Sequence, residues 1–214
     1  MAIRPWSLVL LCPLAVRGDE KKWTDAFLVE ERDLASTGTN PFFRLEPGYV
    51  LAFEGTGKKK ETLTITVLDE TKKIGNVETR VVEERETVDG KEVEVSRNYF
   101  AICKRTNNVY YFGEDAGGAW LHGEKGARFG LMMPGTPLLG ARHYQELAPG
   151  VAMDRAEIVS LSETVETPAG KFENCLEVEE TTPLEPDVKE VKVYAPGVGL
   201  IVDGGLRLVR YGKK

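Results

Sequence analysis

The chain has 214 residues, 42% of them apolar and 22 of them glycine, which suits one well-buried core. Its 28 Lys and Arg stand against 34 Asp and Glu, a formal net charge of −6, so no basic field exists to condense on a phosphate backbone and nucleic acid is not an expected partner. The one basic run, Lys58, Lys59 and Lys60, reads as a solvated turn between strands.

Residues 1–18 place Arg4 before an apolar run, Trp6 to Val16, broken only by Pro13. That is the length of the apolar part of an export signal and too short to cross a bilayer as a helix. The expectation is an exported chain, periplasmic, extracellular or held at a membrane through an N-terminal anchor. Two features count against a standard signal: no small-x-small triplet precedes Gly18, and Leu11 stands before Cys12 where lipid attachment calls for a small residue. Residues 19–39 read as a tether or a short helix, because Trp23, Ala26, Phe27, Glu30 and Leu34 fall at helix-like spacings and Thr37–Asn40 stops any helix before Pro41.

From Asn40 onward the texture becomes period-two alternation with a turn signal about every ten residues, which predicts an all-β, single antiparallel meander over 40–214. The sheet is expected to be strongly curved, as a partly open barrel or a two-layer sandwich. Strands are predicted at Tyr49–Glu54, Glu61–Asp69, Val77–Thr87 and Lys91–Lys104. Leu63, Ile65 and Val67 share one face of the second while its threonines face out. Asp89-Gly90 suits a tight hairpin because both residues tolerate positive φ. Glu83, Glu84, Arg85 and Glu86 then lie opposite Glu92, Glu94 and Arg97 as a charged outer half. Asn107-Asn108 makes the next turn, into Val109–Phe112.

Glu114 to Gly126 is glycine-rich, carries Trp120 and His122, and reads as a long excursion, not a strand. Strands resume near Leu131–Met133, at Ala141–Leu147 and at Glu157–Val165. Beyond the turn Thr167-Pro168-Ala169-Gly170, alternation puts Phe172, Leu176 and Val178 on one face and leaves Cys175 with the glutamates on the other. Thr182 to Asp187, with Pro183 and Pro186, reads as a stiff connector. Turns at Ala195–Gly199 and Asp203–Gly205 lead to the last strand, Leu206–Tyr211. The whole stretch Glu163–Gly205 is turn and strand chemistry, a scaffold.

Its runs TPAGKFENCL and TTPLEPDVKEVKVYAPGVGLI, with NPFFRLEPGYVLAFEG and LMMPGTPLLGARHYQELAPG upstream, resemble a family of bacterial exported or lipoprotein-like β-domains of uncharacterised function. The resemblance covers most of Asn40 to Gly212. It implies an antiparallel β domain outside the cytoplasm and supplies no catalytic residues. Between Asp115 and Trp120 the chain looks shorter than the family pattern.

The residues point to no defined reaction. Two histidines, His122 and His143, are too few for a three-histidine metal site. A two-histidine site completed by Asp115 or Glu146, or by Glu114 or Glu124, is conceivable on a β scaffold, although the spacing matches no metal motif. No G-x-S-x-G nucleophile elbow occurs. Gly55-Thr56-Gly57-Lys58 lacks the first glycine and following hydroxyl of a phosphate loop, and no cofactor is expected. Cys103 and Cys175 could pair in an oxidising compartment only from neighbouring strands, and their predicted faces differ. Tyr110, Phe112, Trp120 and Tyr144 cluster around the excursion, where aromatics either cap a core or line a surface for a lipid, peptide or glycan. The preferred expectation is an extracytoplasmic or envelope-associated binding module. The alternative is a hydrolase or metal-dependent enzyme built around His122 and His143.

Overall fold

A computed structural model of the chain describes residues 22–116 and 119–213; the expected leader and Cys12 lie outside the described residues. It is all-β apart from one 3-10 turn, Glu31–Asp33. The strands are β1 Leu34–Ala35, β2 Thr39–Asn40, β3 Phe43–Arg44, β4 Tyr49–Gly55, β5 Glu61–Ile74, β6 Val77–Val88, β7 Lys91–Cys103, β8 Val109–Asp115 and β9 Trp120–Leu121. Then follow β10 Arg128–Met133, β11 Arg142–Tyr144, β12 Glu146–Leu147, β13 Arg155–Thr167, β14 Gly170–Thr182, β15 Glu185–Ala195, β16 Gly199–Asp203 and β17 Leu206–Lys213.

Every named pairing is antiparallel, and the sheet runs β11-β13-β14-β15-β16-β17-β4-β5-β6-β7-β8-β10-β12. The two ends of this order are consecutive in sequence. The expected single strand Ala141–Leu147 is split: His143 pairs with Ala156 of β13, whereas Glu146 pairs with Phe129 of β10. One short segment thus bridges the first and last long strands and nearly closes the sheet as a barrel, which leaves little free edge. Gly130 makes the approach possible, since a Cβ there would overlap the Gln145 and Tyr144 carbonyls.

The long hairpins follow the turn chemistry. Asp89 and Gly90 both take positive φ, 51° and 78°, the geometry whose twist matches the strands. Successive residues of β7 belong to different cores. Phe100 and Ile102 join the main cluster with Phe53, Leu63 and Leu208, while Tyr99, Ala101 and Cys103 join a second with Val81, Tyr110 and Phe112. Alternate residues point to opposite faces, so the first cluster fills the barrel and the second lies outside it. The second is covered by Phe27, Val29 and Leu34. Residues 22–35 are therefore a docked strap instead of the expected tether or helix: Thr24 exchanges backbone hydrogen bonds with Arg142 and Tyr144, and Leu34 pairs with Cys103.

Other differences have local causes. Cys175 is fully buried, not on a polar face. Asn174 adopts φ 56° and the register with β13 shifts there, so an inserted residue turns the alternation over. Thr182 and Glu185 pair across a two-residue turn at Pro183-Leu184, so the expected connector is a hairpin. The expected excursion begins as strand, with β8 reaching Asp115, and returns when Trp120 and Leu121 pair with Glu114 and Gly113. Cys103 and Cys175 are both free thiols.

Candidate functional site

The interior of the barrel is graded. On β6 the inward-facing series is Val82, Glu84, Glu86; on β7 it is Phe100, Asn98, Ser96; on β15 it is Tyr194, Lys192, Glu190, with Glu86 and Glu190 exposed at the charged end. On β14 Leu176 and Val178 precede Glu180. These rows descend together because the register aligns them, Glu84 opposite Ser96, Lys192 opposite Val178 and Glu180 opposite Glu190. The facing wall is apolar, with Leu51 and Phe53 on β4 opposite Ile65 and Leu63 on β5, and Tyr49 and Val67 in the same buried cluster. Glu84 is therefore not part of the outer charged face assigned to it from sequence. Its neighbours Glu83 and Arg85 are, and they pair with Arg97 and Glu92 outside.

A cavity of about 80 Å³ lies where the apolar and charged zones meet. Phe42, Phe43, Leu51, Ile65, Val82 and Phe100 give it an apolar body, with Arg44 at its other end; Glu84, Lys192 and Asp203 form a charged floor. Several waters fit, since one needs only ~10–15 Å³. The volume is well below the ~300–1,000 Å³ of a pocket for a drug-sized molecule, so an occupant must be small.

The β2–β3 hairpin caps the apolar end. Asn40 is buried and fixes the hairpin by donating from Nδ2 to the carbonyls of Asn107 at 2.8 Å and Pro134 at 3.0 Å, while its Oδ1 accepts the Phe42 N–H at 2.7 Å. The Gly197 N–H donates to Pro41 O at 2.7 Å from the other side. Phe43 stands edge-on to Phe100 at 5.1 Å, and Phe100 stacks on Tyr111 at 4.7 Å. Arg44 lies over the Tyr49 ring, 5.1 Å from its centroid, and pairs with Glu46 at 3.6 Å. Such aromatic pairs add about 0.5–1.5 kcal/mol each beyond area burial, so the cap is a packed lid.

At the floor, Lys192 Nζ reaches Glu180 at 3.1 Å and Asp203 at 3.5 Å, and Gln145 Nε2 donates to Glu180 at 2.7 Å. Burial would push the Lys192 ammonium down, but these carboxylates hold it well above its usual value. Glu84 makes no hydrogen bond or ion pair among the described residues. Burial raises its carboxyl to about 7, against the lowering influence of Lys192, while Asp203, Glu114 and Glu86 add to the rise. Burial also raises Glu114, Asp154 and Glu190, and lifts Glu146 well above the carboxylate range. Desolvation disfavours the charged form wherever no compensating donor is supplied.

The sequence candidates fall elsewhere. His122 packs between Phe112 and Phe129, at 5.5 and 5.0 Å, and its Nδ1 accepts the Phe129 N–H at 3.2 Å on the outer cluster. His143 is buried on β11 beside Ala156, with Nε2 unpartnered and its pKa lowered to about 4 by burial alone. Glu146 accepts the Asp154 N–H at 2.6 Å, and its charged neighbours are Asp154, Glu180 and Glu114. Asp115 is exposed at the end of β8. Among the described residues no group of three or more His, Cys, Asp or Glu is placed to hold a metal ion. Tyr110 and Phe112 belong to the outer cluster, Trp120 to a small one with Ala127 and Ala148, and Tyr144 of β11 pairs with Arg155 of β13. None of these four lines the cavity.

Sequence reasoning missed Glu84, Lys192 and Asp203. The available signal was the change from apolar to charged along one parity of β6, β14 and β15, which looks like an ordinary polar face until the strands are rolled into a barrel. Compared with protein families, curated proteins and solved structures, the chain matches none.

Proposed function

We propose that the chain is a binding module of the extracytoplasmic or envelope-associated kind, and that the barrel interior holds a small, largely apolar molecule. The observation that carries this reading is the capped cavity, with apolar walls and a charged floor. Barrels of this construction hold ligands because the sheet fixes the walls while the interior side chains set size and polarity. Apolar contact supplies the affinity and the floor orients the molecule. The two histidines occupy separate surroundings without convergent carboxylates, so no observation favours an enzyme built around them.

The test is native mass spectrometry of the purified protein, beside a variant in which Leu51→Trp fills the cavity. A small molecule retained by the natural chain and absent from the variant supports the reading. The same spectrum from both, together with no uptake of added small apolar molecules by the natural chain, would sink it.

A further inference from the structure

The charged floor narrows the class of molecule, an inference that rests on the binding reading above. Lys192 is already compensated by Glu180 and Asp203 at 3.1 and 3.5 Å. An anion entering the cavity would therefore meet a neutralised lysine, with Arg44 at the capped end already paired with Glu46 at 3.6 Å, and bring its own charge up to Glu84 and Asp203. Glu84 is the floor group with no partner of its own among the described residues. The groups that face it are Lys192 from β15, Asp203 from β16, Glu114 from β8 and Glu86 from its own strand, with the Tyr111 and Tyr194 hydroxyls alongside. The carboxylates around it outnumber the single ammonium. An incoming cation completes this arrangement, and an incoming neutral donor completes it only in part.

We infer that the cavity takes a small apolar amine, its hydrocarbon body between Phe43, Leu51, Val82 and Phe100 and its ammonium donating to the Glu84 carboxylate. The apolar walls exclude strongly hydrated cations, because nothing there replaces their water. Binding is tied to protons: an ammonium requires Glu84 ionised, so affinity for the amine falls as pH drops below about 7, where burial holds this carboxyl protonated.

The experiment is calorimetric titration of the intact protein with octylamine, 1-octanol and octanoate, at pH 8 and pH 5.5, for the natural chain and for Glu84→Gln. The expected result at pH 8 is octylamine tighter than octanol by about tenfold, the scale of one charge-assisted hydrogen bond. That ratio is expected to collapse toward one at pH 5.5 and in Glu84→Gln. Equal binding of amine and alcohol at pH 8, a preference for octanoate, or an amine preference that survives Glu84→Gln overturns the inference while leaving the binding reading intact. Failure of all three probes to bind the natural chain overturns both. Circular dichroism of Glu84→Gln confirms that a lost preference comes from a folded protein.

Discussion

Replacing Glu84 by Gln perturbs one interior group with little change of shape, and its effect on stability has a definite sign. Burial raises the folded-state pKa of Glu84 from 4.5 to about 7. Between these values the native chain binds more protons than the unfolded one, so this group's contribution is complete below about 4.5 and is lost as pH rises through about 7. At 1.36 kcal/mol per pH unit, the loss is about 3 kcal/mol. Glutamine never ionises and therefore escapes it. In urea unfolding at a series of pH values, the stability of Glu84→Gln relative to the natural chain should rise by about 3 kcal/mol between pH 4.5 and pH 8.5. With a slope of ~2–3 kcal/mol/M, that is a midpoint displacement of about 1 M. Other raised carboxyls titrate in both proteins and cancel in the difference. A difference that stays constant across the range, or falls with rising pH, would refute the placement of Glu84 in a desolvated interior.

His143 makes the opposite prediction. Its folded pKa is depressed from 6.5 to about 4, so stability is complete above about 6.5 and falls by about 3 kcal/mol as pH drops through 4. His143→Leu should keep its structure to lower pH than the natural chain in an acid titration followed by circular dichroism; coincident transitions count against the burial argument. At the barrel seam, Gly130→Ala places a methyl group against the Gln145 backbone, which cannot rotate aside. It should cost about 1–3 kcal/mol in thermal or urea unfolding, whereas Gly57→Ala, which meets open space, serves as the control. Equal stability of the two variants would mean that the seam is not so close.

Much of the scaffold was legible. Asp89-Gly90, the Asn107 turn and Thr167–Gly170 all join strands where their chemistry says they should, because a short turn is governed by the φ values its own residues tolerate. Legibility failed at single residues with long reach. Asn174 inserts a bulge and reverses the face of Cys175, a switch that alternation cannot anticipate. The strap over residues 22–35 was missed because its apolar residues are spaced for a surface it does not itself create. Both faces of β7 from Tyr99 to Cys103 are buried, which gives a continuous apolar run.

The candidate site divides in the same way. By itself the sequence determined an all-β chain, its principal hairpins, and a charged parity on several strands, since each of these rests on contacts between residues close in the chain. Only the tertiary structure decided that one such parity points inward. Glu84, Lys192 and Asp203 lie on three strands that the sequence separates by up to 119 positions, the interval from 84 to 203. They meet because residues 142–147 draw the sheet round on itself. Once it closes, a face that would be bathed in water on an open sheet becomes the wall of a cavity. Loss of water then raises the carboxyl of Glu84, the floor group without a hydrogen bond or ion pair among the described residues.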